Sequence, residues 1–91
     1  MADGLLQVEL VSPEEILYSG EAYMVVVRTI GGGEVAFMPG HAPFLGALDE
    51  GEARIHLTQG GEVQSLQLNG GFVEVSHDKV TILSDEASLV D

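Results

Sequence analysis

Gly31-Gly32-Gly33-Glu34-Val35-Ala36-Phe37-Met38-Pro39-Gly40-His41-Ala42-Pro43-Phe44-Leu45-Gly46-Ala47-Leu48 is the stretch from which the fold is read. Three glycines reverse the chain, Val35 and Phe37 alternate with Glu34 and Ala36, and Pro39 to Pro43 imposes a turn before an apolar run. Proline fixes φ and removes a donor, the residue before each proline is driven to extended angles, and glycine supplies angles other residues avoid. A turn so strongly specified is either a rigid corner of a small sandwich or a shaped contact surface. Phe44 to Leu48 is too short for an independent helix.

Working outward, period-two alternation recurs on both sides. Leu6, Val8 and Leu10 oppose Gln7 and Glu9; Ser12-Pro13 then marks a corner before a strand over residues 16–22. Met24 to Ile30 is nearly continuous and β-branched, as expected of a central strand. Asp49-Glu50-Gly51 reads as a turn, Ala53, Ile55 and Leu57 alternate cleanly, and Gly60-Gly61 closes a hairpin into residues 62–68. There Val63 falls out of phase with Leu66 and Leu68, which suggests a bulge or a change of sheet. Asn69-Gly70-Gly71 reads as another turn, followed by strands over 72–76 and 79–84. The expectation is an all-β chain, a sandwich or flattened barrel of about ten strands spanning residues 1–84. Ser84 or Asp85 suits a helix cap, yet the sequence ends within a turn of it, so residues 85–91 read as a short tail.

The chain has 91 residues, enough for one domain that buries roughly 60% of its unfolded surface. Fifteen acidic against three basic residues give a formal charge of −12, while 45% hydrophobic content requires a folded core rather than an acidic disordered tail. Without a Lys/Arg stripe nucleic acid is excluded as a partner, and a basic partner is favoured. The alternative is that the charge serves only solubility. There is no cysteine, hence no disulfide framework and no thiolate chemistry, and the opening residues resemble neither a signal peptide nor a membrane span. A cytoplasmic location is expected.

Catalytic and metal-binding patterns are missing from the sequence. His41, His56 and His77 have no compact ligand spacing, so neither metal nor other cofactor is expected. Asp49, Glu50 and Glu52 lack the alternation of a hand-type calcium loop. No serine lies in a strand-turn-helix elbow, and no lysine follows Gly31 to Gly33 as a phosphate cradle requires. The chain reads as a part that binds, with no sign of an enzyme.

Four blocks in order, Leu10-Val11-Ser12-Pro13-Glu14, Gly33 to Pro43, Gly70-Gly71-Phe72-Val73-Glu74-Val75 and Val80 to Ala87, resemble the epsilon subunits of F-type ATP synthases. The resemblance covers essentially the whole chain. It implies a non-catalytic β-sandwich at the foot of the rotating central stalk, at the cytoplasmic face of the bacterial inner membrane. There it would pack on the gamma subunit and touch the polar loops of the c-ring, reaching the membrane only through that ring and coupling ion flow to ATP synthesis. By the same resemblance Glu34 is the acidic residue facing the ring, with Gly32 and Gly33 shaping its edge. Ser12, Met38, Pro39, Gly40, His41, Ala42 and Pro43 fall where the family meets gamma or the ring. Ala36 departs from a usual glycine, and Gly46 from a commoner threonine. Typical members continue from about residue 85 into an inhibitory or ATP-binding helical hairpin; that role is therefore not expected here. Exposed sandwich edges also leave room for self-association of the isolated chain. A free-standing acidic sandwich that binds calcium or a small ligand is the alternative.

Overall fold

The computed structural model describes residues 5–58 and 60–90 of the chain. Eight strands follow one another: β1 (Leu6–Val11), β2 (Ile16–Ala22), β3 (Met24–Thr29), β4 (Gly33–Phe37), β5 (Phe44–His56), β6 (Val63–Ser76), β7 (Lys79–Leu83) and β8 (Ala87–Val90). Hydrogen bonding links them in the order β2-β1-β7-β6-β5-β3-β4, with β8 added on β6. β1 and β7 run parallel, and the remaining pairings are antiparallel.

Eight strands stand where about ten were expected: two of the anticipated turns are bends inside continuous strands, while the tail adds one strand, β8. Asp49-Glu50-Gly51 lies within β5 and Asn69-Gly70-Gly71 within β6, and the two sites face each other through Leu48↔Gly71, Glu50↔Asn69 and Gly51↔Leu68. The β5–β6 ribbon therefore bends as a unit without losing its ladder. Across the bend both strands change the face they bury. In β5 the buried positions pass from Leu48 to Ala53 and Ile55; in β6 they pass from Leu66 and Leu68 to Val73 and Val75. This switch folds a single hydrogen-bonded sheet into two facing layers. One layer holds β2, β1, β7 and the 72–76 and 44–48 halves of the ribbon; the other holds β4, β3, β8 and the remaining halves.

Gly71 occupies the inside of the bend at φ +132°, and a Cβ there would collide with the Leu83 carbonyl oxygen. The core between the layers is aliphatic apart from Phe37, with Leu6, Leu10, Val25, Val27, Ile55, Val73, Val80 and Ile82 wholly buried.

Two segments depart from the sequence reading. Ile30, expected inside the third strand, is 64% exposed in the β3–β4 turn. The tail beginning at residue 85 forms no helix: from Ala87 it is β8, in register with Ser65 to Leu68. The hydroxyl of buried Ser84 lies 2.9 Å from both the Gly70 and the Glu86 carbonyl oxygens, and the Asn69 amide donates to Glu86 O. These bonds turn the chain back onto β6 and leave the serine no role as a helix cap. Asp91 lies outside the described residues.

Candidate docking surface

The Met38 to Pro43 turn is built from within and anchored from outside. The His41 amide donates to Met38 O at 3.1 Å, and Gly40, at φ +84°, points its own N–H at Asp78 Oδ1, 2.9 Å away. Asp78 in turn accepts the Gln7 amide on its main-chain oxygen at 2.7 Å. One residue of the β6–β7 turn thus ties the proline turn to the start of β1. The His41 ring stands edge-on to Phe37 at 5.0 Å and to Phe44 at 6.4 Å, closing the gap between β4 and β5. Its Nδ1 lies 2.6 Å from Ala42 O; a carbonyl only accepts, so Nδ1 carries the proton and Nε2 is the nitrogen left for a partner. The turn is accordingly a rigid corner whose Met38, Gly40, Ala42 and Pro43 are exposed.

Gly32 and Gly33 form the exposed tip of the β3–β4 hairpin, where Thr29 Oγ1 donates to Gly33 O at 3.0 Å. Glu34 follows on edge strand β4, its carboxylate 3.1 Å from Arg54 Nη2. Ser12 lies elsewhere, at the β1–β2 corner, where its hydroxyl oxygen accepts the amides of Glu14 and Glu15. The ten expected contact residues therefore occupy three places: the Ser12 corner, the Gly32–Glu34 tip, and the proline turn at the opposite end of β4 from that tip.

An exposed apolar stripe on this surface was not apparent in the sequence. Val11, Leu83, Phe72 and Ala47 are successive cross-strand partners on β1, β7, β6 and β5, on the outer face of their layer. Ile16 sits opposite Val11, and the Ile30 amide bonds Ala47 O, so the stripe runs from the Ser12 corner to the Gly32 tip. Ile16, Phe72 and Leu83 are more than half exposed, as is Leu45 one pair further along β5. The available signal was an apolar residue at an outward phase, but the phase of Phe72 is defined only by the bend at Gly70–Gly71.

Beyond the Ser12 end of the stripe, Glu14, Glu15, Glu50, Asp85 and Glu86 line an open cleft of about 560 Å³. Among the described residues, no three His, Asp or Glu side chains are placed to hold a metal ion, and no helix is long and apolar enough to cross a membrane. The Tyr18 phenol is pushed above its ordinary value, first by burial and then by the charge of Glu62.

Residues 5–90 match the family described as ATP synthase, Delta/Epsilon chain, beta-sandwich domain. The chain is 44% identical over 86 residues to the ATP synthase epsilon chain of Micrococcus luteus, spanning 92% of it, and 42% identical to that of Frankia casuarinae, spanning 96%. It is 43% identical to the Brevibacillus brevis epsilon chain but spans 62% of its length. Among solved structures, a chain in the Euglena gracilis mitochondrial ATP synthase (OSCP/F1/c-ring) superposes with TM-score 0.86 at 22% identity, and this chain spans 57% of it. A chain in the Tetrahymena thermophila mitochondrial ATP synthase central stalk/c-ring superposes with TM-score 0.72 at 19% identity over 64% of its length.

Proposed function

Because this chain belongs to the family of ATP synthase delta/epsilon β-sandwich domains, we propose that it joins the rotor's shaft to its ion-driven ring at the cytoplasmic face of a bacterial inner membrane. It is an epsilon chain, a non-catalytic subunit of the central stalk. The observation that carries the docking role is the apolar stripe. Four cross-strand partners present apolar side chains to solvent on one face, and monomeric proteins rarely leave such a contiguous patch uncovered.

We assign the stripe, with Ser12 at its border, to the gamma subunit. Edge strand β4 faces the polar loops of the c-ring, with Gly32, Gly33 and Glu34 at one end and Met38 to Pro43 at the other. The rigidity of the proline-turn end suits torque transmission, since a corner held by Asp78 and by packing of the His41 ring moves with the sandwich. Coupling rests on the sandwich and needs no inhibitory hairpin; two curated epsilon chains of which this one spans 92% and 96% support that reading.

The test is size-exclusion chromatography of the chain mixed with the cognate gamma subunit. A one-to-one complex is expected, and it should be lost with Phe72→Ser/Leu83→Ser. A doubly substituted chain that is folded and still co-elutes would sink the assignment of the stripe.

A further inference from the structure

The cross-strand ladder places Glu34 directly opposite Arg28, yet it is Arg54, two strands away, whose Nη2 binds Glu34 Oε1 at 3.1 Å. Arg28 leans the other way: a Cβ at Gly51 on β5 would touch its Cδ at 3.6 Å and its Nε at 3.7 Å. Arg54 is paired with Val26 on β3, so its side chain must cross β3 to reach β4. Val26 has the outward phase of its strand, being flanked by the inward, wholly buried Val25 and Val27, and is nevertheless only 8% exposed. The Arg54–Glu34 bridge spans β3 on this same outer face.

The bridge leaves both partners at the surface, with Arg54 34% and Glu34 43% exposed. Among the described residues only Oε1 is taken, by a single guanidinium nitrogen. A glutamate free in solvent samples several rotamers and loses that freedom on binding. One pinned through Oε1 presents Oε2 in a defined direction beside β4.

We propose that Arg54 is a positioning residue for the ring contact, holding the Glu34 carboxylate so that its second oxygen meets a cationic side chain of the ring loop. This rests on the assignment of Glu34 to the ring made above. The partner's cation completes an Arg–carboxylate–cation arrangement in which the carboxylate is shared between two donors, as its lone pairs allow. The contact belongs at the rim of an interface, where charge governs register and salt dependence more than total affinity.

The test uses the full chain and the cognate gamma–c-ring subcomplex, with affinity measured at low and moderate salt. Glu34→Gln should weaken binding by about fivefold at low salt and flatten the salt dependence. Arg54→Gln should weaken it by about threefold in the wild-type background and add nothing in the Glu34→Gln background, because positioning acts only through the carboxylate. Arg54→Lys, which keeps one donor in reach, should restore part of the loss, and thermal melts identify any variant that fails to fold. If Glu34→Gln weakens binding while Arg54→Gln leaves it unchanged or tightens it, Arg54 is idle or a competitor; positioning is overturned and the Glu34 contact survives. Equal losses from Arg54→Gln on both backgrounds overturn it too, as a purely structural effect. If Glu34→Gln has no effect, the contact reading itself fails and positioning fails with it.

Discussion

The N–H of Gly40 points at Asp78 Oδ1 across 2.9 Å, although the two residues are 38 positions apart in the chain. That bond joins the proline turn to the β6–β7 hairpin and, through Asp78 O, to β1. Asp78→Ala should cost about 1 kcal/mol, typical of one net hydrogen bond, and speed hydrogen exchange at Gly40. Asp78→Asn, which retains an acceptor, should recover most of the stability. Urea unfolding and amide exchange by NMR check both outcomes; an unchanged Gly40 exchange rate in Asp78→Ala would contradict the anchoring.

Gly71→Ala should be among the most damaging small substitutions in the chain. The added methyl meets the Leu83 carbonyl oxygen at a backbone angle that L-residues avoid, so a loss of about 2 kcal/mol or more, or failure to fold, is expected in thermal melts. Gly60→Ala, at a turn where a Cβ meets nothing within 4 Å, carries only the backbone strain and should cost less.

Ser84→Ala removes the hydroxyl that bridges Gly70 O and Glu86 O in a buried setting. A loss of about 1–3 kcal/mol is expected, with faster exchange along β8 than along β7. Equal acceleration of both strands would show that the serine does not hold the β8 return specifically.

Phe72→Ser/Leu83→Ser should leave stability within about 0.5 kcal/mol for each site, since both side chains already face solvent, while removing association with gamma. The pairing of urea midpoint with co-elution separates docking from folding.

The raised Tyr18 phenol predicts a stability loss at alkaline pH. Its proton is held more tightly in the folded chain than in the unfolded one, so the contribution is complete below about pH 10, the unfolded value. It is lost as pH rises through the folded value. Tyr18→Phe should reduce the fall in urea midpoint between about pH 9 and 11 relative to wild type; an identical fall would remove Tyr18 from the account.

How much of this was legible in the chain follows from the range of the forces involved. The all-β class, the strands before the triple glycine, and the sharp Pro39 to Pro43 turn were readable, because alternation, β-branching and the limits of proline and glycine act within a few residues. The four ordered blocks led to the epsilon family for the same reason: they are local strings.

Tertiary structure alone decided the rest. Asp49-Glu50-Gly51 and Asn69-Gly70-Gly71 are turn signals taken singly, but set opposite each other they become one bend in a continuous ribbon, since the ladder between β5 and β6 supplies the hydrogen bonds a turn would otherwise have closed. Ser84 and Asp85 look like a helix cap until β6 offers Ser65 to Leu68 as partners. Whether Phe72 and Leu83 face core or solvent depends on that bend, and whether Glu34 is paired with Arg28 or Arg54 depends on where long side chains lie over a third strand. Local sterics are written in neighbouring residues; faces, edges and ion pairs are settled by residues dozens of positions away.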